Sequence, residues 1–393
     1  MEIGYFVGHF PYMDYVNNSD YNKKYAHGGI ELVAYHLALE IAKKDYKINV
    51  FTTSINSKDL LETSNNMNIF RYGTSFKVAS ANISFGLFYK PFKHYPDIVH
   101  AHSPTPYSDI PALIHSKKNK VPFIITYHAD AQGTGGSLIR NLGVSTYNKV
   151  LNSVLSNADI IIATSKSYIN ESEFLVNYKE KTTIIPNGID IDSFDIPYSK
   201  KECRERLGFS NNKYIILFFG NLVAYKGPDI LLKAFKLVKK EIKNVELVFA
   251  GRGEMQEELE LLSKKLNIND SVTFSGFIPE KLKPFYFKAA DIFCLPSTTM
   301  AEAFGIVNLE AMACNLPIIS SRLGGIPDII NEGKTGLLVN PGDYKSLADN
   351  ITYLLENEEL TKKMGDSGRK KVNEYSWKNI ADKTDKIYKE LKG

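Results

Sequence analysis

The sequence predicts a doubly wound α/β fold with two Rossmann-like parallel sheets in succession, and three observations carry that expectation. Short apolar runs alternate with longer helical patterns, the signature of βαβ units closing onto parallel sheets. The alternation breaks at the turn Pro186-Asn187-Gly188 and starts afresh at Tyr214. The chain has 393 residues, more than a single hydrophobic core usually serves, so two domains of ordinary size are expected.

In the first half, residues 2–7, 48–52, 97–101, 122–127, 159–164 and 182–186 read as strands, and helical patterns fall around residues 30–43, 108–117, 142–156 and 166–176. In the second half the strand candidates are residues 214–219, 245–250, 272–275, 291–295, 317–320 and 336–339. Residues 189–213 between them are charged and contain asparagines, which suits a hinge better than a core and puts the boundary near residue 190. Residues 358–374 and 377–391 then read as two amphipathic helices after the second sheet is complete. The last needs a partner for its apolar face, so it is expected to cross back onto the first domain. The expected division is residues 1–190, residues 191–376 and a separate helix over residues 377–393.

Composition narrows the classes. Hydrophobic residues make up 44% and charged residues 23%, which excludes a disordered chain, a collagen-like repeat and a membrane bundle. Lys and Arg number 48 against 44 Asp and Glu, a net of +4, so no nucleic-acid partner is expected, while a local basic patch facing phosphate or lipid remains open. The three cysteines, Cys203, Cys294 and Cys314, show no metal or redox spacing and suit a reducing compartment. The first residues read as a strand rather than a leader, and no apolar run reaches the roughly 18 to 20 residues a membrane span needs. A cytoplasmic protein is expected, with any membrane contact peripheral and at the inner face.

The densest signal is Pro296-Ser-Thr-Thr-Met-Ala-Glu-Ala-Phe-Gly-Ile-Val-Asn-Leu-Glu310. A strand ends at Leu295 and a helix starts near Phe304 or Gly305, so the amides of Gly305, Ile306 and Val307 form an anion site at a helix N-terminus. Glu302 precedes that helix and Glu310 lies within it, with seven residues between the carboxylates. Such a pair can grip sugar hydroxyls; taken alone it reads more readily as a solvated N-terminal Glu and a surface Glu. At Gly220-Asn221-Leu-Val-Ala-Tyr-Lys226-Gly227 a strand delivers a glycine turn and a lysine at its carboxyl end, where open α/β sheets bind ligands. Lys226 there neutralises a diphosphate as a point charge, or is simply an exposed lysine beside a helix start. Gly251-Arg252-Gly253 and Gly324-Gly325 are further glycine turns between strand and helix.

In the first half, Gly28 and Gly29 precede a helix and offer flexible backbone to a phosphate or an acceptor. His128 ends a strand at the sheet's carboxyl edge, as a satisfied core or capping histidine or as a catalytic one. His100 and His102 share one strand face, but no third ligand with zinc spacing is visible. Asp190-Ile191-Asp192 resembles a metal-binding pattern and reads as a solvated hinge. A Tyr-rich stretch over residues 9–27, with residues 76–92, supplies aromatic and basic groups for a glycan or a lipid surface, or forms ordinary loop.

In order along the chain, Gly28-Gly29, the Asp97 to His102 strand, His128, Asn187-Gly188-Ile189-Asp190, the Lys226-Gly227 turn, the Glu302 to Glu310 block and the Trp377 helix together resemble the family-four retaining glycosyltransferases of GT-B architecture. The resemblance covers nearly the whole chain. It implies two Rossmann-like domains facing a cleft, the first holding the acceptor and the second a nucleotide sugar. By it, Lys226 meets the diphosphate, the backbone near Ile278 the base, Glu310 the ribose hydroxyls, and Glu302 with Phe304, Gly305, Ile306 and Val307 the sugar and phosphates. His128 faces the transferred sugar. Where the family commonly has an arginine after the first glycine of the second domain, this chain has Asn221, which shifts charge compensation onto Lys226 and the helix dipole. The implied activity is transfer of a hexose-type sugar from a UDP- or GDP-linked donor to a glycan, lipid-linked or small-molecule acceptor, without cofactor or metal. The rivals are a nucleotide-sugar epimerase or hydrolase on the same scaffold and a non-catalytic sugar-nucleotide-binding subunit.

Overall fold

The computed structural model describes residues 1–13, 29–64, 66–78, 81–130 and 138–393, with residues 138–145 as backbone only. Gly28 and residues 14–27 of the Tyr-rich stretch lie outside the described residues. The chain forms two compact units: Met1–Gly188 together with Trp377–Gly393, and Ile189–Ser376.

The strands of the first unit are β1 (Glu2–Phe6), β2 (Lys47–Thr53), β3 (Leu60–Ser64), β4 (Met67–Tyr72), β5 (Phe76–Val78), β6 (Ala81–Ile83), β7 (Ile98–Ser103), β8 (Phe123–Tyr127), β9 (Ile160–Ala163) and β10 (Thr182–Ile184). Eight of them form a sheet ordered β10-β9-β8-β7-β1-β2-β4-β3, while β5 and β6 pair with each other. The main sheet is parallel except for β3, which runs antiparallel to β4. Central strands of a parallel sheet are covered on both faces. Accordingly every residue of β7 and β8 is buried, and Ile3 of β1 lies beside Ile48 and Ile98. Strand β3, Leu60-Leu-Glu-Thr-Ser64, is mostly exposed at the sheet edge.

The helix Trp377–Lys392 belongs to this first unit. Tyr388 sends its hydroxyl to within 2.8 Å of the Tyr5 hydroxyl, and Lys392 reaches Asp97 at 2.7 Å. Tyr46 donates to Asp385. At the start of the helix the Trp377 indole stacks on His36 with centroids 5.3 Å apart. It packs on Gly188 so closely that a Cβ there would come within 2.4 Å of the ring.

The second unit has one six-stranded parallel sheet, ordered β13-β12-β11-β14-β15-β16. Its members are β11 (Tyr214–Phe219), β12 (Val245–Ala250), β13 (Val272–Gly276), β14 (Ile292–Leu295), β15 (Ile318–Ser321) and β16 (Gly336–Val339). The helix Pro228–Glu241 shows why the connections are helical. Proline takes the first turn, Asp229 lies near the positive end, Lys239 and Lys240 near the negative end, and Leu231, Phe235 and Val238 recur on one buried face.

The stretch 189–213, expected as a hinge, belongs instead to the body of this unit. Ile189, Ile191 and Phe194 join its core. The charged run Lys200–Leu207 is a helix with a capping box between Ser199 and Glu202, and its Cys203 and Arg204 turn inward. Arg204 donates from Nε to the Ala289 carbonyl at 2.8 Å and from Nη2 to Asp291. Composition concealed this because the buried guanidinium finds partners more than eighty residues away, which a local reading of charge does not see. No helix among the described residues is long and apolar enough to cross a membrane.

Candidate functional site

The segments that follow β11 and β14 carry most of the expected donor-site residues of the second unit, Asn221 and Lys226 after β11 and Glu302 to Glu310 after β14, while Ile278 follows β13. After β11, Asn221 is exposed and the chain makes a short turn over Ala224–Lys226 before Gly227 opens the helix Pro228–Glu241. After β14, the segment from Pro296 to Phe304 leads to Gly305, the N-cap of the helix Ile306–Ala313. Gly305 has φ +74°, a left-handed conformation that costs other residues strain, and a Cβ there would lie 2.7 Å from Asn308 Nδ2. Asn308 is fully buried and is held by Ser320, whose Oγ donates to Asn308 Oδ1 at 2.7 Å. The first amides of that helix, Ile306 and Val307 among them, have no intrahelical acceptor and offer partial positive charge.

The structure brings Lys226 and Glu302 together across 76 positions of sequence, with Lys226 Nζ donating to Glu302 Oε2 at 2.6 Å. Their side chains are 14% and 12% exposed, so the pair is screened from bulk water yet reachable. Burial works against the Lys226 charge, but the Glu302 carboxylate, helped by Tyr225 and Glu310, outweighs it and raises the lysine pKa above its usual value. A second pair joins two helices: Glu310 on Ile306–Ala313 accepts from Nζ of Lys283, the first residue of the helix Lys283–Ala289, at 2.9 Å, and Lys283 also reaches Glu280 at 2.9 Å. Burial raises the Glu310 pKa while Lys283 opposes the shift; for Lys283 itself burial is outweighed by Glu310 and Glu280, which hold it well above the ordinary lysine range. Phe304 and Ile278 are buried side chains of the unit's core, so what they present outward is backbone.

The first unit holds His128 immediately after β8, buried, with its backbone N–H donating to the Ser103 carbonyl at 3.0 Å. His102 Nδ1 and His128 Nε2 are 3.1 Å apart, and His100 joins Tyr388 and Thr126, each at 2.7 Å. Burial pushes the pKa values of His100 and His128 down to about 3, with His128 adding to the effect on His100, so both rings are neutral at neutral pH. Gly29 begins the helix Gly29–Ala42, and a Cβ there would meet nothing within 4 Å among the described residues. Asp190 and Asp192 are exposed.

Lys283, Glu280 and Asn308 were not anticipated. The spacing of Glu280 and Lys283 on a helix start was the one visible signal, and it pointed to a local ion pair rather than to Glu310, 27 residues away.

Two family profiles match this chain: Glycosyltransferase Family 4 over residues 27–193 and Glycosyl transferases group 1 over residues 199–371. An uncharacterized glycosyltransferase of Methanocaldococcus jannaschii is 33% identical over 276 residues, covering 69% of this chain and 70% of that protein. O-antigen chain mannosyltransferase C of Escherichia coli is 27% identical over 354 residues, covering 88% of this chain and 90% of the relative. Among solved structures, sucrose-phosphate synthase from Thermosynechococcus elongatus matches with TM-score 0.74 at 22% identity, over 99% of this chain and 98% of that one. The Anabaena protein HepE in complex with UDP matches with TM-score 0.75 at 21% identity, over 99% and 100%. At these identities the structures show the fold, which is GT-B. With one profile on each half of the chain and a relative one-third identical over most of its length, the protein belongs to the group 1 glycosyl transferases of family four and is a glycosyltransferase.

Proposed function

We propose that this glycosyltransferase moves a hexose-type sugar from a UDP- or GDP-linked donor to a glycan, lipid-linked or small-molecule acceptor, with retention of anomeric configuration and without metal or cofactor. The observation that carries the reading is the Lys226–Glu302 pair beside the Gly305 helix start. An ammonium has three N–H donors, so Lys226 can hold Glu302 and still offer protons to a diphosphate. As the anomeric bond breaks, negative charge grows on the leaving diphosphate, and a fixed lysine with helix amides stabilises it where a general acid would otherwise be needed. Same-face attack then lets a diphosphate oxygen take the acceptor proton. Glu310, with Oε1 held by Lys283, keeps a second carboxylate oxygen for ribose hydroxyls. His128, neutral at working pH, serves as a hydrogen-bonding group toward the transferred sugar. The HepE structures with UDP and with UDP-glucose support a nucleotide-sugar donor, and relatives named as a mannosyltransferase and a D-rhamnosyltransferase support a hexose-type sugar.

The test is release of nucleoside diphosphate from UDP- and GDP-sugars, with and without candidate acceptors, in EDTA. Turnover that depends on acceptor, gives product of unchanged anomeric configuration and survives chelation is expected. Complete loss in EDTA restored by magnesium or manganese overturns the metal-free reading; release without acceptor identifies a hydrolase, and binding without release a non-catalytic subunit. In the same assay Glu310→Gln should weaken donor binding about 10 to 100-fold, the scale of one charge-assisted hydrogen bond. Glu302→Gln should act mainly on turnover, since its partner Lys226 faces the charge that changes during transfer.

A further inference from the structure

We propose that His102 is a positioning residue that fixes the tautomer of His128, so that His128 presents Nδ1–H as a hydrogen-bond donor to a bound ligand. The starting point is an imbalance. His102 lies at the end of β7, fully buried, and its Nδ1 stands 3.1 Å from His128 Nε2 on the neighbouring strand end. The other nitrogen of His102, Nε2, is buried with no hydrogen-bond partner among the described residues.

Two neutral arrangements satisfy the contact. In one, His128 Nε2–H donates to His102 Nδ1, which forces the His102 proton onto Nε2 and buries an N–H with no acceptor. In the other, His102 Nδ1–H donates to His128 Nε2, and what remains buried on His102 is a lone pair. Orphaned buried N–H groups are rare and costly, whereas under-satisfied acceptors are better tolerated, so the second arrangement holds. A neighbouring ring face does not rescue the first one. His100 and Tyr5 lie stacked beside His102 at interplanar angles of 21° and 26°, so its in-plane N–H bonds do not point into their faces. With Nε2 of His128 accepting, its proton must sit on Nδ1, which has no partner among the described residues, on a side chain that keeps 7% of its surface exposed. Which imidazole nitrogen carries the proton is set by the bond the other one makes.

The ring of His102 is itself clamped. Its plane lies 17° from that of His128 with centroids 5.4 Å apart, the separation of two rings joined edge to edge by the 3.1 Å contact, while its face lies against His100 at 4.9 Å, and His100 is pinned at both nitrogens by Tyr388 and Thr126. The inference deepens the proposed role of His128 toward the transferred sugar and rests on it for its functional meaning, although the tautomer itself does not.

Nitrogen-15 spectroscopy of the histidine-labelled full chain at neutral pH tests it. The wild type should show His128 protonated at Nδ1, against the Nε2–H form an unconstrained imidazole favours. His102→Phe should return His128 to Nε2–H and lower turnover about tenfold, the scale of one hydrogen bond. His102→Asn, whose amide nitrogen occupies the place of Nδ1, should keep the Nδ1–H form and turnover within about threefold, while His102→Gln, whose amide falls nearer Nε2, should not. If the Phe variant does not fold, the Asn and Gln variants decide. An Nε2–H His128 in the wild type, or an unchanged tautomer in both the Phe and Gln variants, overturns the ordering by His102. If the tautomers behave as stated while His128→Ala turns over normally, the ordering stands and the role of His128 in transfer falls.

Discussion

Asp109 shows what burial does to a single residue. It is fully buried in the helix Pro106–Asn119, where its carboxylate accepts from Ser103 Oγ at 2.8 Å, from the Thr105 backbone N–H at 3.1 Å and from the Tyr147 hydroxyl. Burial outweighs these donors and pushes the pKa up to about 6. The folded state therefore binds this proton more tightly than the unfolded chain does. Its contribution to stability is fully present below about pH 4 and is lost as pH rises through the folded value, a decline on the order of 3 kcal/mol. Denaturant unfolding of the wild type and of Asp109→Asn between pH 4 and 7 checks this. The variant should show a flatter dependence over that window, and parallel curves would remove Asp109 as the cause. None of this was legible in the sequence, where Asp109 is one polar residue in a helical pattern and its partner Tyr147 lies 38 positions away. His128 and Lys226 were legible because His128 follows β8 directly and Lys226 closes the glycine-bearing connection after β11, and in a parallel sheet the strand end is where ligands bind.

At the scale of elements, the helix Ile306–Ala313 depends on how it begins. Gly305 supplies the left-handed turn, Asn308 packs beneath it, and Ser320 on β15 fixes Asn308 in place. Gly305→Ala adds both backbone strain and a contact at 2.7 Å, so the second unit should lose about 1–3 kcal/mol. Denaturant unfolding measures it, and a variant as stable as the wild type would show that the turn tolerates a side chain. The helix start itself was readable from Phe304-Gly305 following a strand, because glycine marks a backbone that must bend. The edge strand β3 and its neighbour β4 were not readable. Leu60-Leu-Glu-Thr-Ser64 lacks the apolar continuity of the central strands, since an edge strand need bury only part of itself. The helix Lys200–Leu207 was missed for a related reason, its inward face being carried by Cys203 and an arginine rather than by an apolar stripe.

At the scale of the whole molecule, the chain returns to its first unit after completing the second. Residues 377–393 join Met1–Gly188 rather than the residues just before them. Deleting them removes Tyr388 from Tyr5 and His100, Asp385 from Tyr46 and Lys392 from Asp97, all within the first unit. Hydrogen exchange should therefore quicken in β1 and β7 on deletion, while amides of β11, β12 and β14 keep their protection. Equal loosening of both sheets would show that the two units do not hold their cores independently. The sequence alone determined the fold class, the two successive sheets and the strand ends that carry Lys226, Glu302 and His128, because hydrophobic periodicity and glycine turns are local properties of a chain. Only the tertiary structure decided that Lys226 meets Glu302, that Lys283 meets Glu310, that His102 meets His128 and that Ile189, Ile191 and Phe194 join the core of the second unit. Each of those depends on which strands lie side by side, and sheet order joins residues whose separation along the chain carries no trace of their contact.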